Sequence, residues 1–328
     1  MFKIRLVTLA LAGVSFITAP LSAGTFVENF SGPPAERGWR VAGDASLFHW
    51  NSTDQNLEVT WDSSRSNSYF HRPLGTVLTR SDDFTLAFDL RLHDIAIGTT
   101  PGKPYGMQIA VGFLNTAAAT NDHYFRATGY DSPNVAEFNY FPDSGFGASV
   151  SPTFISSNSD FASAFNSLFT LTTNDLFHVT MTYTASNQTL VTLMTSNGLP
   201  FGPIEEVVIG AFFSDFRVDA LSISSYTDAG QDPFYAGSIL AHGTVDNLLV
   251  TTPPPPMDNL TGGFSNQLWQ VQFTSHTNWT YTLERGGDFI SWTTVSSSGS
   301  GNGATLSLSE TNTASGSANF YRVNARRK

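Results

Sequence analysis

The chain is predicted to be all-β, an antiparallel jelly-roll β-sandwich followed by a second, smaller β domain. Three observations carry this. Apolar and polar residues alternate over short runs bounded by Gly, Pro, Asn, Asp and Ser, a period of two that suits half-buried strands. The proline run TTPPPP, Thr251–Pro256, favours extended polyproline backbone that cannot join a sheet ladder, so it marks a boundary. A unit of about 230 residues, 24–250, lies ahead of it and about 70 residues follow, the proportions of one large sandwich and a small companion.

The elements follow in order. The opening MFKIRLVTLALAGVSFITAPLSAG sets Lys3 and Arg5 ahead of an apolar run, then small residues, the pattern of a secretory signal cut after Ala23. That run is shorter than the roughly 20 apolar residues a membrane span needs, and Pro20 breaks it. No membrane span is expected once the signal is removed. Strands are predicted at Phe84–Leu92, Met107–Leu114, His178–Thr184, Thr189–Thr195 and Ala220–Tyr226, with Ala185–Gln188 closing a hairpin. DFASAFNSLFT from Asp160 reads as a short helix or an irregular loop. Behind the prolines, WQVQF, WTYTLE, ATLSLS and NFYRV alternate in the same way. The predicted organisation is a signal over 1–23, a sandwich over 24–250, a linker over 251–259 and a small β domain over 260–328.

Composition excludes several functions. There is no cysteine, hence no disulfide, thiolate metal site or cysteine nucleophile. Export without disulfides suits a bacterium, in the periplasm, at the cell surface or secreted. The formal charge is -11, and losing Lys3 and Arg5 with the signal gives -13. Only three lysines occur, so nucleic acid is not an expected partner. The seven histidines never form His-x-His or His-Glu-x-x-His, which leaves zinc without a local motif.

The stretch AEFNYFPD, with ENFSG, DFTLAFDLRL, MQIAVGFLN, FHVTMTYTASNQTLVTL and GTVDNLLVTTP, resembles the concanavalin A-like lectin/glucanase superfamily (LamG-like) over most of residues 25–252. The C-terminal NWTYTLERGGDFISWTTV and NFYRV are similar to a small β-module of exported proteins from environmental bacteria. Along a strand, Glu137, Asn139 and Phe141 share one face and Phe138 and Tyr140 the other. The glucanase branch has Glu, Asp and Glu at the first three, with nucleophile and general acid about 5–5.5 Å apart. Here the acid's place is Phe141, which has no proton to give, and loss of general acid catalysis typically costs 10²–10⁴-fold. Asp143 would lie roughly 20 Å from Glu137 on a continued strand. The resemblance therefore implies a sandwich without glucanase activity.

The legume-lectin branch instead implies metal ligands at Glu137, Asn139 and Asp143, all acceptable to calcium. The bridging Asp is Asn139 here and the downstream Asp and His are missing, so the resemblance leaves at most one weak calcium. A third reading makes Glu137 and Asn139 solvated residues of a wet sheet face. Trp50, Trp61, Tyr69, Tyr105, Tyr130 and Tyr140 are candidates for stacking on sugar. Of these, Trp61 and Tyr105 are expected to be exposed, because WDSSRSNSY and PGKPYG read as loops. The expected ligand contacts are Glu137, Asn139, Tyr140, Trp61 and Tyr105, with no catalytic residue. The expected function is non-catalytic recognition of a glycan or cell-surface polysaccharide; a hydrolase or lyase with an atypical site, or a structural envelope protein, are the alternatives.

Overall fold

The structure, a computed structural model, describes residues 24–327 apart from 122–123, 127–131, 166–168, 232–233, 235, 254–255, 266–267, 288–289 and 311–318. The signal expected over Met1–Ala23 lies outside the described residues, as do Tyr130 and two of the linker prolines. The chain divides into a unit of residues 23–255 and one that contains residues 256–328.

Strands are numbered in chain order. The first sheet of the larger unit runs β14 (Leu199–Phe201), β13 (Thr189–Ser196), β12 (Phe177–Thr184), β6 (Phe84–Ile97), β17 (Ile239–Thr252), β4 (Asn56–Asp62) and β3 (Phe48–Asn51). β1 (Gly24–Glu28) adds to β17, and β15 (Val207–Val208) to β13. The second sheet runs β11 (Phe161–Ser163), β10 (Thr153–Ile155), β8 (Val135–Phe141), β7 (Ile109–Leu114), β16 (Val218–Ser225), β5 (Ser68–Leu78) and β2 (Arg40–Ala42), with β9 (Ser149–Val150) on β8. Every pairing within these two sheets is antiparallel. The two sheets stack as a jelly-roll sandwich.

Alternation decides which side chains fill the space between the sheets. β12 reads Phe177, Val179, Met181 and Tyr183 inward, while His178, Thr180 and Thr182 point to solvent or its margin. β6 does the same with Phe84, Leu86, Phe88 and Leu90. Rings from opposite sheets meet edge to face: Phe88 on Phe138 at 5.5 Å between centroids and 76°, Phe84 on Phe113 at 5.4 Å and 83°. This arrangement suits the ring quadrupoles. Each such side chain, fully buried, adds about 1.5–3 kcal/mol of apolar burial.

The hairpin expected at Ala185–Gln188 joins β12 to β13, with Thr184 opposite Thr189. Gln188 takes φ 57° there, and its amide holds the turn by donating to the carbonyls of Ala185 and Arg80. The stretch from Asp160 departs from the helical alternative. Phe161–Ser163 is an edge strand on β10, since three residues alternating beside an open ladder gain more from pairing than from starting a costly helical turn.

The smaller unit has two sheets. One pairs Met257–Ser265, Leu268–Ser275 and Thr305–Ser309; the other gathers Thr293–Thr294, Gly299–Ser300 and Phe320–Arg327 on Trp279–Gly286. Its core is Val271, Phe273, Trp279, Tyr281, Leu283 and Leu308. Beside it, buried Glu284 accepts from Arg322 at 2.8 Å and from Asn324 at 2.7 Å.

Candidate functional site

β8 is buried on both faces. Ala136, Phe138 and Tyr140 point into the sandwich, as the period of two requires. The opposite face carries Glu137, 2% exposed, and Asn139, 1% exposed, so the wet-face reading is overturned. Register partners on antiparallel strands share a face, and this one continues through Gly112 and Ala110 on β7, then Ser222 and Ser224 on β16. These are small residues, and Ser222, Ser224 and Ala110 are buried. Gly112 is obligatory, because a Cβ there would fall 2.4 Å from the Cα of Glu137.

Over this floor stands a charged cluster that spacing alone does not reveal. Arg126 Nη2 donates to Glu137 Oε1 at 2.5 Å and Arg126 Nε to the same oxygen at 3.2 Å. The Tyr226 hydroxyl donates to Glu137 Oε2 at 2.8 Å. The guanidinium lies 5.6 Å from the Tyr226 ring centroid, and Arg126 is itself 2% exposed. Burial, and then the charge of Glu137, push the Tyr226 hydroxyl far above the ordinary phenol range, which keeps it a neutral donor. Tyr69 is raised likewise, chiefly by burial, and its ring meets those of Tyr124 and Tyr226 edge-on.

Both oxygens of Glu137 are thus engaged from inside the protein. The carboxylate fixes Arg126 and Tyr226 onto the sheet, and each of its oxygens is held by an internal donor. Phe141, where the resemblance implies an acid, is half-buried. Asn139 differs: neither amide atom has a hydrogen-bond partner among the described residues.

Three expectations need correction. Trp61 is fully buried, not exposed: it is the last inward residue of β4, after Leu57 and Val59, and the loop begins after Asp62, two residues later than expected. It offers no surface to a sugar. Tyr140 is 1% exposed and its hydroxyl accepts from the Leu171 amide at 3.1 Å, so it belongs to the core. Glu137 and Asn139, also expected to contact a ligand, are buried as well. The calcium set Glu137, Asn139 and Asp143 is not drawn together. Glu137 is committed to Arg126, while Asp143 lies beyond the end of β8, its Oδ1 accepting from the Gly145 amide at 2.9 Å. Among the described residues no three His, Asp or Glu side chains are gathered as a metal would need.

Tyr105 remains a surface residue. It is half-buried, its carbonyl accepts from the Ser238 amide at 2.8 Å, and its ring packs under Gly145, where a Cβ would come within 2.9 Å. The same loop carries Asp143, whose carbonyl accepts from the Gly106 amide, and Phe146, 78% exposed. Tyr105, Asp143 and Phe146 therefore form one loop cluster.

The outer face of the first sheet is wet and acidic. Asp246 lies opposite Asp89 across β17 and β6, and its carboxyl is pushed up to about 6, by burial first and by the charges of Asp89 and Glu28. A raised acid opposes folding when ionised: the penalty is absent below about pH 4, grows between 4 and 6, and is full above 6. Asp246→Asn should therefore stabilise the larger unit at pH 8 and leave it unchanged at pH 4. The group is half-exposed, so about 1 kcal/mol is expected rather than the roughly 3 kcal/mol of an unscreened shift. Denaturant midpoints at the two pH values check this, and an equal effect at both would contradict it.

No protein-family model matches the chain, and no curated protein matches it. Solved structures of similar fold include lectin II from Ulex europaeus, 11% identical, TM-score 0.42, over 71% of this chain and 100% of that one. A legume lectin-like domain from Entamoeba histolytica is 10% identical, TM-score 0.41, over 69% and 95%. Basic winged bean lectin, solved with Tn-antigen, is 15% identical, TM-score 0.40, over 71% and 100%. This chain's own residues form an antiparallel β-sandwich with its Glu137 strand closed over.

Proposed function

We propose that this protein is an exported, non-catalytic carbohydrate-recognising β-sandwich protein, acting at or beyond the bacterial cell surface. The observation that carries the non-catalytic part is the occupation of both Glu137 oxygens by Arg126 and Tyr226. A retaining glycosidase needs that carboxylate free and a second one about 5–5.5 Å away. Carbohydrate recognition is placed at the loop cluster of Tyr105, Asp143 and Phe146, where two rings, one half-buried and one exposed, stand beside a carboxylate. Such rings stack on the apolar face of a sugar while a carboxylate accepts from its hydroxyls.

A glycan-array screen of the protein without residues 1–23, with calcium and with chelator, tests the reading. Retention on at least one neutral glycan class is expected, and Tyr105→Ala with Phe146→Ala should abolish it. Retention untouched by that double substitution would move the site elsewhere. Reducing sugar released from β-glucan or galactan by the wild type would replace the reading with an enzyme.

A further inference from the structure

A cavity of about 350 Å³ opens between the two sheets of the larger unit, lined among others by Phe26 of β1, Val250 of β17, Arg72, Leu74 and Gly75 of β5 and Leu221 of β16. Register explains the opening. Val218 pairs with Leu78 and Ala220 with Pro73, so the single residue Asp219 of β16 stands against four of β5, from Leu74 to Val77. A bulge of that size bends its strand away from the ladder, and Pro73, Leu74 and Gly75, where β5 departs, all line the cavity.

An inward position of this rim carries a charge. Along β5, Phe70 pairs with Ile223 and Arg72 with Leu221, both partners buried, so Arg72 points between the sheets where the period of two calls for an apolar side chain. Across the gap lies Phe26, whose own partner Val250 is buried, with its ring centroid 3.7 Å from the guanidinium carbon. The stack orients the fork. Arg72 Nε donates to the Arg37 carbonyl at 2.7 Å, and among the described residues Arg72 has no other hydrogen bond and no ion pair. Glu28, the acid whose charge reaches it, already accepts from Arg37 at 2.7 Å, from Trp39 Nε1 at 2.9 Å and from the Phe30 amide at 2.8 Å. Burial moves Arg72 below the ordinary guanidinium range, as befits a cation partly stripped of water and left unpaired. Nη1 and Nη2 are the donors that remain, beside walls of Phe26, Leu74, Leu221 and Val250.

We propose that this cavity binds a small monocarboxylate with an aliphatic body, its carboxylate on the Nη edge of Arg72 and its chain against Phe26, Leu74, Leu221 and Val250. Two parallel donors on one guanidinium edge match the two oxygens of a carboxylate. A chain of formal charge -11 repels polyanions, so a single negative charge on an apolar body is the form the site favours. The volume falls within the range of about 300–1,000 Å³ usual for small-molecule sites. The inference is independent of carbohydrate recognition.

The test is calorimetric titration of sodium octanoate into the protein without residues 1–23, at pH 7.5 and low salt, with 1-octanol and octylammonium as comparison ligands. One equivalent of octanoate is expected to bind, and both comparison ligands at least tenfold more weakly. Arg72→Met keeps an apolar stem over Phe26 but removes the fork, and should weaken octanoate at least tenfold. Gly75 supplies a second measurement that does not touch the core: it is exposed, its φ is 71°, and a Cβ there would meet nothing within 4 Å. Asn and Asp are the side chains that best accept that backbone region, so Gly75→Asn and Gly75→Asp make a pair that differs in charge. Gly75→Asp should bind octanoate at least threefold more weakly than Gly75→Asn, and the gap should narrow as salt is added. Absence of one-equivalent binding, octanol bound as tightly as octanoate, a folded Arg72→Met with the wild-type constant, or equal constants in the two Gly75 variants would each overturn the proposal.

Discussion

Arg126→Met is expected to destabilise the larger unit by about 3–5 kcal/mol, the range for removing one partner of a buried ion pair. The cost arises because Glu137, 2% exposed, loses both guanidinium bonds, and only the Tyr226 hydroxyl remains as its partner. For a domain of this size that corresponds to roughly 10 °C in melting temperature. Replacing both charges, Arg126→Met with Glu137→Leu, should recover much of the loss, because apolar substitutes of similar volume leave no stranded charge. Urea unfolding of wild type, the two single variants and the double gives the coupling directly. A single-variant loss below about 1 kcal/mol would mean that water reaches the pair, and the closed-face account would fail.

Trp61→Ala is the second large effect, about 3–5 kcal/mol, the range for deleting a buried aromatic side chain. Trp61 is fully buried and its indole Nε1 has no hydrogen-bond partner among the described residues. Trp61→Phe should therefore cost far less, since the lost volume is partly offset by removing an unsatisfied donor. Glycan retention at temperatures where the variant stays folded should be unchanged in both. A Trp61→Ala protein of wild-type stability that had lost sugar binding would restore the exposed-platform reading.

The contrast between these residues shows what the amino-acid pattern encodes. Strands were legible because Phe177, Val179, Met181 and Tyr183 repeat with the pleat, and the repeat needs no knowledge of the rest of the chain. The state of Glu137 was not legible. Its alternation with Phe138 identifies the face correctly, but whether that face is wet depends on Arg126 and Tyr226, eleven and 89 residues away, in segments of no recognisable motif. Six successive buried positions across Val135–Tyr140 would have shown it, yet polar residues alternating with apolar ones look the same under a covering loop as under water. Trp61 failed for a local reason, a strand end displaced by two residues.

The pairing of β1 with β17 bears on how the molecule is made. Gly24 lies opposite Thr252, and Glu28 opposite Leu248, so the first described strand finds its partner only after more than two hundred further residues have been synthesised. β17 is also the strand between β6 and β4, and its ladder with β6 runs from Ile239 to Thr251. A nascent chain halted before Ile239 would hold β6 and β4 with open inner edges and β1 with no ladder at all, a state that invites pairing with neighbouring chains. The sandwich is thus a fold that closes from its last strand.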